Sequence, residues 1–273
     1  MKRKLLWMLL LFSMLLFTGC EYPKLEEPEI EYHLVQENIY TLTDGTCVDL
    51  WNDEWGDTNY YRLADGTELL RERCSISPEN VYVGGQESFD DLTAEAQKNV
   101  KTYYVKKGIL YDIGEELEKR YSGYLTLQKQ GKGYSKAFVD QSVAPAASND
   151  KVMWFLTSVY IPVDVEANTG TDLYLCAAFD RITGDVIPST DMFIIPKEGI
   201  CDALLNKLPP GQETMRDEMK ALFSLEYLVW FPDALHIIYP QGTLREDSSS
   251  IYTWKYEKLA DIMQPWAIPE QEE

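Results

Sequence analysis

Residues 151–163 constrain the fold of this chain more than any other stretch. Val152, Trp154, Leu156, Ser158, Tyr160 and Pro162 fall on one side of an extended segment, and Met153, Phe155, Thr157, Val159 and Ile161 fall on the other. Side chains of a strand alternate between faces, so a strand that is largely apolar on both sides must be covered on both. The chain therefore needs a layered core with 151–163 as a central strand. A partner strand is expected over 134–143, with 144–150 as the loop between the two. Further strands are expected over 172–180 and 186–195, joined by the Thr183-Gly184 turn.

On either side of this block the periodicity changes. Residues 32–84 read as a β-meander: Tyr32, Leu34 and Ile39 suggest a pleat, and Asp44-Gly45 and Asp65-Gly66 supply the positive-φ residues of tight hairpins. The two turns echo one another as Leu-Thr-Asp-Gly-Thr and Leu-Ala-Asp-Gly-Thr. Ser88 is placed to cap a helix through the amide of Asp91, and Phe89, Leu92, Ala96, Val100 and Tyr103 recur at helical spacing up to Gly108. Asp112 with Glu115 starts a second helix carrying Leu117, Tyr121 and Tyr124 on one side, with Gly131 and Gly133 at its end. Helical spacing returns over 200–208 and 213–223, strands over 227–231, 235–239 and 251–254, and a short helix over 256–263. Antiparallel strands with helices inserted in clusters define an α+β fold, a mostly antiparallel sheet with helices packed on it.

The first twenty residues speak to location. Lys2, Arg3 and Lys4 precede an apolar run over 5–17 broken only by Ser13, and the run closes in Leu-Phe-Thr-Gly-Cys at 16–20. About 13 apolar residues fall short of the ~20 that span a bilayer, so the segment reads as a cleavable signal. Its end resembles the lipobox of bacterial lipoproteins, with Phe17 where that family usually has Leu. The resemblance implies cleavage before Cys20, lipidation of Cys20, and a protein held by its lipid on the extracytoplasmic side of the cell membrane. Residues 20–31, rich in Glu and Pro, then form a tether of up to roughly 40 Å. The expected organisation is signal peptide 1–19, tether 20–31, meander 32–84, α+β domain 85–263 and flexible tail 264–273.

Charge and cysteine content narrow the partners. The chain has 25 basic and 45 acidic residues, and loss of the signal removes three of the basic ones, leaving 22 − 45 = −23. Such a surface repels nucleic acid and attracts basic proteins over a distance. Besides Cys20 there are Cys47, Cys74, Cys176 and Cys201. An even number outside the cytoplasm permits disulfides; proximity along the chain favours Cys47–Cys74 and Cys176–Cys201, and free buried thiols are the alternative. No Cys-x-x-Cys pair occurs, which argues against a metal or redox site.

The chemistry of an enzyme is sparse. His33 and His236 are the two histidines, far apart in sequence, and no nucleophile elbow, phosphate loop or His-Glu-x-x-His helix occurs. No catalytic residue, metal or cofactor is assigned. The densest constellation outside the core lies over 49–61, where Trp51, Asp53, Trp55 and Asp57 combine rings for stacking with hydrogen-bonding carboxylates. These four are the candidate ligand-binding residues; the competing reading is a solvated hairpin whose tryptophans fold back on the core.

The second half carries a resemblance. Residues 152–161, 173–179 running into Asp180-Arg181-Ile182-Thr183-Gly184-Asp185-Val186-Ile187, then Met192-Phe193, 227–231, 235–240 and 256–259 follow in order the pattern of the RsiV-like extracellular domain of certain anti-sigma factors and peptidoglycan-deacetylase neighbours. The resemblance implies that sensor's outer domain, detached and lipid-anchored, which in the family recognises lysozyme-type ligands. Where members often carry a Gly-Gly-Ala-His hairpin, this chain reads Val-Glu-Ala-Asn-Thr-Gly-Thr over 165–171, so functions tied to that hairpin do not transfer. With only residues 1–4 on the inner side, no sigma factor is expected as partner. The expected function is a non-enzymatic extracytoplasmic ligand-binding lipoprotein, its ligand a cationic wall-active protein or a wall glycan; the alternative is an envelope hydrolase or accessory subunit.

Overall fold

The computed structural model describes residues 31–77, 80–163, 170–209, 211–212, 215–245 and 248–270. The signal segment, Cys20, the tether up to residue 30 and positions 165–169 of the hairpin lie outside the described residues. From Tyr32 onward the chain is one compact unit, so the meander shares a single body with the second half of the chain. Strands β1 (Tyr32–Thr41), β2 (Cys47–Asp53), β3 (Asn59–Leu63), β4 (Glu68–Cys74), β5 (Ala137–Ser148), β6 (Val152–Pro162), β7 (Gly170–Asp180) and β8 (Val186–Ile187) form one eight-stranded sheet in sequence order. Every neighbouring pair is antiparallel except β4–β5, where Leu70 to Cys74 run parallel to Ala137 to Gln141. Strands β9 (Leu228–Trp230), β10 (Leu235–Tyr239) and β11 (Ser250–Trp254) form a second, antiparallel sheet.

The expectation for β6 holds. Met153 and Phe155 on one face meet Phe89, Val100 and Tyr104. Val152 and Trp154 on the other face join a core built from the small sheet and helices further along the chain. Trp154 is fully buried and its ring is stacked with Trp230, centroids 6.4 Å apart. The residues on the first face belong to α1 (Gln86–Asp90) and α2 (Ala94–Lys107), and those on the second include α4 (Lys197–Leu205) and α5 (Arg216–Ala221). The remaining helix, α3 (Ile113–Lys129), packs Leu117 and Tyr124 on the meander with Val48, Tyr61 and Leu70.

Turn chemistry fixes how α3 sits. The two echoing hairpin turns have one geometry: the amides of Thr46 and Thr67 donate to Asp44 Oδ1 and Asp65 Oδ1, each at 2.9 Å, and Gly45 and Gly66 adopt φ of 90° and 85°. Tyr121 Oη donates to Asp44 Oδ2 at 3.0 Å and Tyr124 Oη to Asp65 Oδ2 at 3.5 Å, so one helix holds both turns. Asp112 caps α3 as expected, accepting from the Glu115 amide at 3.0 Å.

Several boundaries differ from the sequence reading. The helix expected from Ser88 is divided into α1 and α2, and Thr93 is the capping residue, its Oγ1 accepting from the Ala96 amide at 3.1 Å. Strand β5 continues through 144–148, the stretch expected to be a loop, because a bulge between Pro145 and Ala147 accommodates a residue without an N–H. The strand expected over 186–195 stops at Ile187, since Pro188 cannot extend the ladder, and Ser189–Met192 form a 3-10 turn. Residues 264–270, expected to be flexible, are docked: Asn149 Nδ2 donates to the carbonyls of Trp266 and Ile268 at 2.9 Å, and the Glu270 amide donates to the Ser148 carbonyl at 2.8 Å.

All four described cysteines are free thiols, so neither favoured disulfide forms. For Cys47–Cys74 the register gives the reason. Trp51 pairs with Tyr60 and Tyr60 with Arg71; Cys47 lies four residues before Trp51 and Cys74 three after Arg71, along strands pointing the same way. Seven residues of offset is about 20 Å, far beyond the ~7 Å reach of a disulfide. Cys176 and Cys201 both pack against the core around Trp154, and burial pushes the Cys176 thiol up to about 12.

Candidate functional site

The two faces of the meander differ. Val48, Tyr61, Leu63 and Leu70 point towards α3, whereas Tyr32, Trp51, Tyr60, Arg62, Arg71 and Arg73 occupy the opposite face, which no second core layer covers among the described residues. Arg62, Arg71 and Arg73 are the only Lys or Arg residues between Tyr32 and Cys74, and all three stack on rings. Arg62 Cζ is 4.0 Å from the centroid of Tyr32, 5.5 Å from Tyr60 and 5.7 Å from Trp51. Arg71 lies 5.0 Å from Tyr60, and Arg73 5.7 Å from Phe138 of β5. Glu68 pairs with both Arg71 and Arg62. Stacked guanidinium groups keep their in-plane N–H donors for hydrogen bonds, which a lysine in the same place would not do.

At the end of this face, where β2 turns into β3 and β4 leaves the sheet, lies a groove of about 810 Å³ lined by Asp57, Asn59, Arg73, Ser75, Tyr82 and Ser142 among others. Each wall has a cause in the local fold. The Ser75 amide donates to the Gln141 carbonyl, and the Gly84 amide to the Val143 carbonyl, both at 2.8 Å, so 75–77 and 80–84 are held along β5. Within that segment Val81 and Val83 are buried and Tyr82, pointing the other way, is 68% exposed. Asn59 is held by Glu72, a buried carboxylate that accepts from Asn59 Nδ2 at 2.9 Å and from the hydroxyls of Tyr61 and Tyr111 at 2.6 Å. Burial first, and Glu72 next, push both phenols far above their ordinary range, so they remain donors. Arg73 Nε donates to Asp140 Oδ1 at 2.6 Å, which fixes the guanidinium while its side chain stays more than half exposed.

The four residues singled out from sequence have different fates. Asp53 is buried and builds the turn: its Oδ1 accepts from the Gly56 amide at 2.9 Å and its Oδ2 from Tyr60 Oη at 3.0 Å. Burial, with Asp53 adding to it, pushes the Tyr60 phenol up to about 12. Trp51 is half-buried beside Arg62. Trp55 is 65% exposed, directly before the groove-lining Gly56, and Asp57 lies on the groove wall. Sequence reasoning singled out the hairpin beside this groove and passed over Arg73 and Tyr82. The signal for Tyr82 was its place between two valines in an alternating run.

Other chemistry is dispersed. His33 is on β1, while His236 is on β10 of the other sheet, 4.9 Å from the Phe231 ring. Among the described residues no group of three His, Cys, Asp or Glu side chains is placed to hold a metal ion, and no helix is long and apolar enough to cross a membrane.

Fold and site together define an α+β protein with one sheet face left open among the described residues. No protein-family model matches the chain, and no curated protein matches it. Solved structures similar to it include a DUF3298 family protein from Pseudomonas aeruginosa PAO1, 16% identical, with 49% of this chain and 66% of that one covered at a TM-score of 0.35. A DUF3298 family member from Bacteroides fragilis NCTC 9343 is 11% identical, with 86% of this chain and 94% of that one covered at a TM-score of 0.40. The chain thus spans just under two thirds of the first of these structures.

Proposed function

We propose that this chain is a lipid-anchored, extracytoplasmic binding protein of the RsiV-like kind, non-enzymatic, whose ligand docks at the groove beside Trp55. The observation that carries the reading is the pairing of two solvent-exposed rings, Trp55 and Tyr82, with a groove walled by amide, hydroxyl and guanidinium groups. Rings stack on the apolar faces of sugars, and fixed polar groups read hydroxyls, so a wall glycan fits this surface. The net charge favours a second reading, a basic wall-active protein drawn in by long-range attraction. Arginines on the open face weigh against that protein docking there. The anchor rests on the residues at 16–20 and on Cys20.

Two experiments test this. Cys20→Ser should leave an unprocessed precursor; the same mature mass and detergent partitioning as the parent would overturn the anchor. The detergent-solubilised mature chain should bind wall-glycan fragments, and Trp55→Ala with Tyr82→Ala should weaken binding at least tenfold. Binding that goes instead to lysozyme and ignores both substitutions would favour the basic-protein reading. Hydrolysis of the fragments by the purified chain would establish the envelope-hydrolase alternative.

A further inference from the structure

Resting on the glycan reading of this groove, we infer that the groove selects a saccharide bearing a carboxylate, with Arg73 as the group that recognises it. Among the described residues, Arg73 is the only cation that lines the groove. Two contacts fix its guanidinium before any ligand arrives: the Nε bond to Asp140 at 2.6 Å and the stack on Phe138 at 5.7 Å. Asp140 is largely shielded, its side chain 14% exposed, whereas that of Arg73 is 56% exposed. The carboxylate partner therefore sits behind the arginine and occupies its Nε, and the terminal N–H groups remain for a planar two-oxygen acceptor. A guanidinium fork matches a carboxylate in two parallel bonds, a pairing that neutral hydroxyls do not reproduce.

The rest of the lining suits a sugar carrying that acid. Ser75, Ser142, Asn59 and the Tyr82 hydroxyl offer hydrogen bonds to ring hydroxyls. Asp57, the carboxylate on the wall, accepts from the Thr58 hydroxyl at 3.0 Å and serves as acceptor for hydroxyls further along the ligand. The overall negative charge does not forbid an acidic ligand. Near physiological salt, charges are screened over ~8 Å, so the remote carboxylates act weakly on a group in contact with Arg73. What the net charge does impose is a slower encounter at low salt.

The test is calorimetric titration of the detergent-solubilised mature chain with a uronic-acid oligosaccharide and with the same oligosaccharide after reduction of its carboxyl groups to alcohols. The acidic form should bind about tenfold or more tightly at 0.15 M salt. Arg73→Gln should bring the ratio close to one, and Arg73→Lys should leave an intermediate preference. Lys101→Gln, which changes the net charge equally on α2, should leave the preference intact; its loss there would show a general charge effect and overturn the role of Arg73. Equal binding of both sugars by the parent chain overturns the carboxylate inference and leaves the glycan reading standing. Binding of neither sugar overturns both. A melting temperature within a few degrees of the parent separates loss of recognition from loss of the fold in Arg73→Gln.

Discussion

The sheet is treated differently at its two ends. From β5 to β7 both faces are roofed, one by α1 and α2 and the other by the small sheet with α4 and α5. From β1 to β4 the described residues roof only one face, with α3, and finish the other with side chains alone. Rings there are shielded by arginine, and the arginines by Glu68 and Asp140. A roofed face sacrifices access for stability, while a face closed by its own side chains holds donors and acceptors at the surface. The meander is where the proposed ligand would meet this chain; the other end is where the chain gains its core.

A charge placed at matching points of the two ends should break them unequally. Trp154→Asp puts a carboxylate into the fully buried layer beside Trp230, and a loss of about 4 kcal/mol or more is expected, most of the stability of a protein at the low end of the ordinary range. Trp51→Asp on the open face should cost about 1 kcal/mol. Similar denaturation midpoints for the two variants would show that the ends do not differ.

Next in size is the buried pair under the meander roof. Arg120 is 1% exposed and bonds the Pro162 carbonyl at 2.8 Å, 3.7 Å from Glu116, while its Nε and Nη1 have no partner among the described residues. Arg120→Met alone takes the counter-charge from Glu116 Oε2, leaving Lys119 on Oε1 at 2.9 Å, and strips the Pro162 carbonyl of its donor, so it should cost about 3 kcal/mol, whereas Glu116→Leu with Arg120→Met should be neutral or stabilising. A double variant as unstable as the single one would mean that the pair itself holds α3 in place.

A smaller effect is expected at the seam between turn and helix. Gly184 adopts φ 71° with the Ala96 carbonyl 2.6 Å from where a Cβ would lie, and Thr93 and Asn99 donate to the carbonyls of Ile182 and Thr183. Gly184→Ala should cost about 2 kcal/mol through left-handed strain and displacement of α2; an unchanged melting temperature would refute that docking.

The smallest effect is a pH dependence at the roofed end. Burial holds the His236 pKa below its ordinary value, with Asp233 opposing and Lys255 assisting. The folded state therefore binds fewer protons than the unfolded one, and stability present above about pH 6.5 declines as pH falls through the lower folded value. The midpoint should drop between pH 7.5 and 5.5 in the parent and less in His236→Phe; equal slopes would refute it.

What was legible in the sequence was whatever a single segment decides. The two-faced strand 152–161, the Asp112 cap and the twin Asp-Gly turns each carry their own signal. What was not legible depended on segments far apart. Ser88 and Thr93 are equally good caps by composition, and the bonds from Thr93 and Asn99 to the turn after β7 hold the helix that Thr93 starts. The chain end looked loose until Asn149, more than a hundred residues earlier, proved to bind it. The candidate site divides the same way. Trp55 and Asp57 lie on one hairpin and were singled out from sequence, while Arg73 and Tyr82 reach the groove through the parallel junction and the segment after it.

That junction has a consequence for how the molecule assembles. Strands β1 to β4 pair with their chain neighbours and can zip from successive hairpins. The β4–β5 edge instead pairs Leu70 to Cys74 with Ala137 to Gln141, strands with three helices between them in the chain. Closing such a loop has an entropic cost that only the completed seam and its packing recover. The meander and α3 can therefore collapse first as an early-forming unit, with the edge of β4 unsatisfied until the second half arrives. Arg73, at the very edge that waits, acquires its Asp140 partner only in that last step, so the groove and the finished fold come into being together.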